Sequence, residues 1–256
     1  MGTALVEGAI RFGVIAAADV IGVDPLPGAR EQFARLTACR AVAEITALVD
    51  CEVILLCTKP NNALQVLREA TVANAGKPLL VISIAAGITT SALESAGADR
   101  VRVIRAMPNT PALIGKGAAG YCLGIRATRE DAETARQLLG AVGLAVEVPE
   151  RLMDAVTGLS GSGPAYVYLI IEALADGGVL VGMNRPDAVL LAAQAVMGAA
   201  AMVLETGEHP AVLKDMVTSP GGTAIAGLGE LERHGLRAAL IDAVRAATVR
   251  ATELGR

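Results

Sequence analysis

The pattern of apolar residues changes once along this chain, near residues 148–150, and this change constrains the fold more than any other feature. Before it, β-rich runs alternate with helical stretches; the runs are DVIGVD (19–24), CEVILLC (51–57), KPLLVISI (77–84) and RVRVIRA (100–106). After Pro149 every stretch has helical character. Apolar strands that alternate with helices are typical of a parallel, doubly wound sheet. We therefore predict an α/β domain over residues 1–148 and an all-α domain over residues 149–256.

The finer pattern assigns further elements to each domain. In the first domain we predict helices over 28–36, 61–75 and 128–142, with two more β-like runs at 117–124 and 144–149. In the second we predict helices over 150–158, 164–182, 186–205, 209–217 and 224–256. Pro164, Pro186 and Pro210 stand where helices would begin, a position that tolerates proline.

Composition excludes several classes of partner. The net charge is −4 and no basic block is present, so we predict no nucleic-acid partner. Tryptophan is absent and aromatic residues make up 2% of the chain, too few to stack bases or sugars. The four cysteines form no C-x-x-C pair and have no histidine nearby, so we predict no metal site, no disulfides and a cytoplasmic location.

One uncharged run tests whether the chain enters a membrane. Ala188–Leu204 carries no charge over 17 residues, just short of the roughly 20 that span a bilayer. The run contains Gln194 and Gly198 and is flanked by Asp187 and Glu205 instead of basic residues. We predict a helix buried in a protein core or a subunit interface, and no membrane partner.

The start of the chain resembles the middle of a dinucleotide-binding unit. Such a sheet begins with a strand, a glycine-rich turn and a helix whose N-terminus holds a pyrophosphate. Residues 2–8 (GTALVEG) already look like that helix, with Gly2 as the last glycine of G-x-G-x-x-G and Asp24 placed for a ribose hydroxyl. Alternatively, Asp24 is a turn residue before Pro25. We expect roughly a dozen further residues ahead of Met1 in the natural protein; the alternative is a protein without a phosphate loop.

The segment VTSPGGTA (217–224) interrupts a helical region. Pro220 and the two glycines that follow it would each destabilise a helix interior. We predict that Gly221 and Gly222 turn the chain with exposed amides and that Thr223 caps the next helix. Because glycine-rich turns and helix N-termini bind carboxylates, the segment is a candidate anion site. The alternative is an ordinary connection between helices.

Three stretches together resemble pyrroline-5-carboxylate reductases over nearly the whole chain. They are RVIRAMPNTPALIGKGAAGY (102–121), AVTGLSGSGPAYVYLIIEALADGGVLVGM (155–183) and the stretch 209–244 that contains SPGGT. The resemblance implies that NADPH or NADH gives hydride to the C=N bond of 1-pyrroline-5-carboxylate, which yields L-proline in the last step of proline biosynthesis. It also implies a Rossmann-like N-terminal domain, here without a recognisable first strand, and an all-α C-terminal domain that makes a homodimer or larger homo-oligomer.

The resemblance assigns substrate contacts to the second half of the chain. It implies that the 217–224 loop holds the substrate carboxylate and reaches the cofactor of the other subunit. Position 224 is commonly threonine in the family but is alanine here, so only its backbone N–H is available. The implied contacts are Ser219, Gly221, Gly222, Thr223 and Ala224.

Two more residues map to positions near the substrate. Thr157 corresponds to a threonine near the imine nitrogen and is a candidate proton donor; alternatively, its hydroxyl bonds back to a helix carbonyl. Glu150 maps near the substrate as well; alternatively, it is a first-turn glutamate at a favourable helix end.

The implied cofactor contacts follow the predicted strands, at the ends where open α/β sheets bind ligands. Lys59 would lie beside ribose and phosphates, or simply be solvated, and Met107 and Pro108 would lie against the nicotinamide, or form a buried turn. Arg30 could fold over a 2′-phosphate, which leaves the choice between NADH and NADPH open. The complete set is Gly2, Asp24, Cys57, Thr58, Lys59, Pro60, Ile84, Ala85, Ala86, Met107, Pro108, Asn109 and Thr110.

The residue types agree with imine reduction. The chain has two histidines, and an imine needs no histidine relay because its protonated form is already electrophilic. The reaction needs alignment and an anchor for the carboxylate. Two other functions remain open. One is a β-hydroxyacid-type dehydrogenase, for which Lys214 is the one lysine in the helical half. The other is a non-catalytic helical dimer that has lost its phosphate-binding loop.

Overall fold

The computed structural model describes residues 1–255, which form two compact units. The first contains Met1–Ser162 together with the residues from Arg245 onward, and the second contains Gly163–Val244. The strand-rich unit thus takes in the first helical segment after Pro149 and the end of the last helix. This division differs from the predicted boundary at 148–149, which stays a prediction.

Within the described residues, the first unit consists of seven strands, six complete α-helices and the end of the last helix. The strands are β1 (Ile21–Val23), β2 (Arg40–Val42), β3 (Val53–Leu56), β4 (Leu79–Ser83), β5 (Val101–Met107), β6 (Gly117–Leu123) and β7 (Gly143–Glu147). The helices are α1 (Gly2–Arg11), α2 (Pro27–Thr37), α3 (Pro60–Ala73), α4 (Thr90–Gly97), α5 (Arg129–Gly140) and α6 (Met153–Val156). A π-helical turn, Thr157–Gly161, follows α6, and short 3₁₀ helices include Thr110–Ile114 and Glu150–Leu152.

The strands form two sheets. One has the order β3-β4-β5-β6-β7, and the other is the parallel pair β1-β2. The predicted parallel arrangement is confirmed for β3, β4 and β5, whereas β6, whose direction was not predicted, runs antiparallel to β5. The reason is the short connection through Thr110–Ile114, because a parallel neighbour would need a longer crossover.

The core lies on both faces of the larger sheet. Strand β4 is buried along its whole length, as its uninterrupted apolar sequence predicts. Alternation along β4 sends Leu80 and Ile82 toward α1 and α5, and Leu79 and Val81 toward α3 and α4. This packing fixes the ends of β3, β4 and β5 at one edge.

Among the α-helices and strands of the first unit, one helix and one strand lie outside the predicted set. Helix α4 is short and carries glycine and several serines and threonines, so its apolar period is weak. The structure starts it with Thr89, whose side chain accepts a hydrogen bond from the Ala92 N–H at 3.2 Å. The other element, β2, is only three residues long.

The second unit is entirely helical. Three of its helices carry a predicted proline, Pro164, Pro186 or Pro210, as their first or second residue, which confirms those positions, but the predicted single helix over 224–256 is wrong. Gly235, with φ +72°, ends one helix and a new one begins at Leu236. The helices are α7 (Gly163–Leu180), α8 (Arg185–Thr206), α9 (Pro210–Met216), α10 (Thr223–Arg233) and α11 (Leu236–Leu254), which continues into the first unit.

Small residues join α7 to α8, and large apolar residues remain outside. Ala175, Ala188 and Ala192 are buried between the two helices. By length and composition alone, the segments Glu150–Leu180 and Arg185–Thr206 could cross a membrane. Most of α8 is exposed in the single chain. Of the two environments predicted for this helix, a protein core and a subunit interface, the second therefore fits the structure. The exposed apolar residues include Leu169, Leu174, Leu180, Leu190, Leu191, Met197 and Leu204.

Candidate functional site

Three of the predicted cofactor segments meet at one edge of the sheet. Strands β3, β4 and β5 are parallel neighbours, so their carboxyl ends lie side by side. The predicted residues lie at or directly after these ends, at 57–60, 84–86 and 107–110. Ligands of open α/β sheets bind at such an edge.

The first helix begins at the same edge. A Cβ at Gly2 would lie 2.9 Å from Cys57 Sγ, so the start of α1 packs closely against the residue that follows β3. Thr58 Oγ1 is buried there without a hydrogen-bond partner in the described chain. The free first-turn N–H groups of α1 and this hydroxyl are donors that suit a phosphate, so the residues present fit a nicotinamide dinucleotide.

A cleft of about 1080 Å³ separates β1 from β3. Its lining includes Gly2, Asp24, Cys57 and Thr58. Each of the two strands pairs with a neighbour on one side only in the described residues, so both of their open edges face the cleft.

Asp24 and Arg30 form a turn at the end of β1. Asp24 Oδ1 accepts a hydrogen bond from the Leu26 N–H at 2.8 Å. This is the bond expected under the alternative that Asp24 is a turn residue before Pro25. Arg30 Nη1 donates to the carbonyl oxygens of Asp24 and Pro25, at 2.8 and 2.9 Å. In this conformation Arg30 stabilises the loop, and the proposed contacts of Asp24 with ribose stay predictions.

The segments after β3 and β4 differ in burial. Lys59 is exposed and occupies the N-cap position of α3 without a side-chain cap, and Pro60 begins that helix. After β4, Ala85 is buried and its N–H donates to Ser83 Oγ at 3.3 Å, whereas Ile84 and Ala86 are half-buried. Small side chains here leave room for a ligand.

Asn109 has a contact that the sequence did not indicate. Pro108 and Asn109 are buried after β5, while Thr110 is exposed. Asn109 Oδ1 accepts from the Ala118 N–H at 2.9 Å, and its Nδ2 donates to the Ser160 carbonyl oxygen at 3.0 Å. The side chain therefore links β6 to the π-helical turn, and its contact with a cofactor stays a prediction.

Thr157 begins that π-helical turn. Its Oγ1 donates to the Met153 carbonyl oxygen at 3.0 Å. This is the alternative in which the hydroxyl bonds back to a helix carbonyl. The Ser162 N–H donates to the Thr157 carbonyl oxygen at 2.8 Å, a bond that spans five residues. Single π turns inside helices are frequent at functional sites, and no feature of the sequence distinguished this one from an α-helix.

Glu150 points its carboxylate at α4. It accepts from the Thr90 N–H at 2.7 Å and from Thr90 Oγ1 at 2.6 Å. Arg105 Nη1 lies 3.6 Å from Glu150 Oε1, and Arg105 Nη2 lies 3.0 Å from Asp154 Oδ1. Sequence reasoning missed Arg105 and Asp154; an arginine inside the apolar strand RVRVIRA was the signal. The predicted substrate contact of Glu150 stays a prediction.

Cys122 lies in the buried surroundings of this ion pair. Burial, and to a smaller extent the Glu150 carboxylate, raise the pKa of the Cys122 thiol to about 12, although Arg105 opposes them in part. The thiol is therefore protonated at neutral pH and is not a nucleophile. Within residues 1–255 no three His, Cys, Asp or Glu side chains group as a metal site, and all four cysteines are free.

The predicted carboxylate loop lies between α9 and α10. Gly221 has φ +69°, and the Gly222 N–H donates to the Ser219 carbonyl oxygen at 3.0 Å. The prediction that Thr223 caps α10 is wrong: Gly222 is the N-cap residue, with an extended backbone, and Thr223 is already helical. Ser219, Gly221 and Thr223 are exposed, while Gly222 and Ala224 are half-buried.

This geometry moves the candidate anion site by one or two residues. The Gly222 N–H is used within the turn, whereas the first-turn N–H groups of α10 point beyond the helix start. They belong to Thr223, Ala224 and Ile225. The helix is eleven residues long, so its dipole adds to the attraction for an anion.

Both halves of the chain match models of known protein families. A family model described as pyrroline-5-carboxylate reductase dimerisation matches residues 150–254, and one described as NADP oxidoreductase, coenzyme F420-dependent, matches residues 1–87. A pyrroline-5-carboxylate reductase of Methanosarcina acetivorans is 45% identical over 257 aligned residues, which cover 100% of this chain and 95% of the relative.

Solved structures agree with these sequence matches. A pyrroline-5-carboxylate reductase from Coxiella burnetii has a TM-score of 0.93 at 33% identity and covers 100% of this chain and 95% of its own. The Plasmodium falciparum pyrroline carboxylate reductase with NADP bound has a TM-score of 0.87 at 30% identity, with the same coverage. The matches confirm the predicted Rossmann-like domain and helical dimerisation domain. Full-length identity of this size, together with the fold, shows that the chain belongs to the pyrroline-5-carboxylate reductase family.

Proposed function

We propose that this protein reduces the C=N bond of 1-pyrroline-5-carboxylate to L-proline with NADPH or NADH, as a cytoplasmic homodimer or larger homo-oligomer. One observation carries the proposal beyond family membership. The ends of β3, β4 and β5 meet beside the start of α1 and beside the turn that carries Thr157. This arrangement suits a dinucleotide at the sheet edge and a small reactive ring next to it.

The chain's own residues would hold the cofactor in two parts. The first-turn N–H groups of α1 and the Thr58 hydroxyl would bind its phosphates. The small residues Ala85 and Ala86, with Met107 and Pro108, would contact its nicotinamide half. When bound, the cofactor supplies the hydride that reduces the imine carbon.

The substrate needs an anchor and an orientation. We propose that the first-turn N–H groups of α10 bind the carboxylate of 1-pyrroline-5-carboxylate, each with a charge-assisted hydrogen bond of about 1.5–3 kcal/mol. Family resemblance assigns this loop to the neighbouring subunit's site, so the assembly would be required for turnover. The product amine would take its proton from Thr157 Oγ1 or from water.

Activity measurements with purified protein test the proposal. The protein is incubated with 1-pyrroline-5-carboxylate or with a panel of β-hydroxyacids, each with both nicotinamide cofactors, and NADPH binding is measured by calorimetry. We expect turnover of the imine alone. Turnover of a hydroxyacid would favour the dehydrogenase alternative, with Lys214 as its candidate acid or base. Absence of NADPH binding, even with a strand and glycine turn fused ahead of Met1, would favour the non-catalytic alternative.

A further inference from the structure

Arg105 is a buried cation that the proposed reaction does not use. Its side chain is 6% exposed, near the carboxyl end of β5. A buried guanidinium is costly unless carboxylates pair with it, and here Asp154 and Glu150 both do so, at 3.0 and 3.6 Å. Replacement of such a pair by apolar residues is often neutral for stability, so a stabilising role alone does not explain it.

Both carboxylates make further hydrogen bonds. Glu150 accepts two from Thr90, at the start of α4. Asp154 Oδ2 accepts one from Thr252 Oγ1 at 2.9 Å, near the end of α11. Arg105 is therefore the centre of a network that joins β5 to α4, to α6 and to the last helix.

The network surrounds the segment that carries Thr157. Arg105 stands two residues before Met107, and its partner Asp154 stands three residues before Thr157. On the other side of Thr157, Asn109 Nδ2 donates to the Ser160 carbonyl oxygen at 3.0 Å. One link therefore joins β5 to α6 just before Thr157, and the other joins the segment after β5 to the π-helical turn just after Thr157.

We propose that Arg105 is a positioning residue. Its guanidinium, fixed between Asp154 and Glu150, sets the distance between the end of β5 and the Thr157–Gly161 turn, and through it the alignment of imine and nicotinamide. This role rests on the proposed function. The planar fork of arginine can hold two carboxylates at fixed angles, whereas the single ammonium of lysine cannot reproduce that geometry.

Conservative variants test the proposal, with a matched control on the same strand. Arg102, also on β5, pairs with Asp131 of α5, which carries no candidate site residue. We compare Arg105→Lys and Asp154→Asn with Arg102→Lys, and measure kcat, KM for the imine and NADPH affinity. Misalignment acts on the chemical step, so we expect kcat to fall by about tenfold or more for the first two. We expect KM and NADPH affinity to stay within about twofold.

A second readout does not depend on turnover. The Ser162 N–H closes the π-helical turn, so its hydrogen exchange reports whether that turn is held in place without cofactor or substrate. We expect faster exchange at Ser162 in Arg105→Lys and Asp154→Asn, but not in Arg102→Lys. If Arg105→Lys does not fold, the isosteric Asp154→Asn decides both readouts.

The outcomes separate this inference from the proposed function. An inactive wild-type protein would overturn the proposed function, while the exchange of Ser162 would still decide whether Arg105 holds the turn. Full kcat in both Asp154→Asn and Arg105→Lys would overturn the positioning role. Equal losses in the Arg102→Lys control would overturn it as well.

Discussion

The Thr157 hydroxyl donates its only proton to the Met153 carbonyl oxygen, at 3.0 Å. A hydroxyl that donates inside its own helix cannot donate to a ligand at the same time. Thr157 must rotate away from Met153 before it can protonate the product amine. Because water can supply the same proton, we expect this hydroxyl to help the step without being required for it.

We predict that Thr157→Ala lowers kcat by less than about a hundredfold, which is below the lower end of the range typical for loss of a general acid. Stopped-flow measurement of cofactor oxidation checks it. Ser160→Ala is the matched control, because Ser160 Oγ donates to the Val156 carbonyl oxygen in the same way, at 3.1 Å. Complete loss of turnover in Thr157→Ala alone would make this hydroxyl the required proton donor.

Gly222 lies directly before the N–H groups that we assign to the carboxylate. A Cβ at this position would lie 2.3 Å from Ser219 Oγ, a terminal atom that can rotate away, and φ is −77°, which any residue adopts. We predict that Gly222→Val abolishes turnover by blocking these N–H groups while the protein stays folded. Steady-state kinetics and circular dichroism check both parts.

The control for this variant is Gly140→Val, at the exposed end of α5, where a Cβ meets nothing within 4 Å. It should keep normal kinetics. A normal KM for 1-pyrroline-5-carboxylate in Gly222→Val would remove the carboxylate from this loop.

The exposed apolar face of α8 predicts a response of the assembly to charge. Leu190 is 69% exposed in the single chain, so a charge there costs the isolated fold little but is costly when buried between subunits. We predict that Leu190→Glu shifts the protein toward monomers in light scattering and lowers activity in proportion. Ile125→Glu, at a residue 90% exposed in the first unit, should keep the wild-type mass. An unchanged mass for Leu190→Glu would place the interface elsewhere.

The fold could be predicted where apolar runs are long. Strand β4 is an uninterrupted apolar run, helix α3 has a helical apolar period, and prolines mark the starts of α8 and α9. The direction of β6 could not be read, since an apolar run has the same period whether its neighbour is parallel or antiparallel. The break before α11 depends on Gly235, whose φ is positive. In a sequence, a glycine that ends a helix looks the same as a glycine tolerated inside one.

The candidate site could be predicted in its backbone parts but not in its side-chain links. Positions at strand ends follow from topology, so the Cys57–Pro60 and Met107–Thr110 segments could be placed together in advance. The bonds of Asn109 and Arg105 to residues about 50 positions later depend on tertiary packing. No periodic pattern in the local sequence predicts such pairs. Only Arg105, a charged residue within the apolar run of β5, pointed toward one of them.

Asp131 gives the fold a defined acid sensitivity. Its carboxylate accepts from Arg102 Nε at 2.8 Å and from the Thr128 N–H at 2.9 Å, at the capped start of α5. Burial alone would raise the pKa of the Asp131 carboxyl, but the hydrogen bonds from Arg102 and Thr128 outweigh it and lower the pKa below its usual value. The native state therefore binds this proton less readily than the unfolded chain does.

We predict that Asp131→Asn lowers the free energy of unfolding by about 2 kcal/mol at neutral pH, because Arg102 and the helix start lose a charged partner. The stabilisation is complete above the carboxyl pKa of the unfolded chain, about 4, and is lost as the pH falls through the lower native pKa. The difference between wild type and Asp131→Asn in urea unfolding should therefore be constant from about pH 5 to 8 and shrink below about pH 4. Asp99→Asn, which breaks the exposed pair with Arg126, should change stability little at any of these pH values. A difference that grows on acidification would mean that burial, not Arg102, sets the protonation of Asp131.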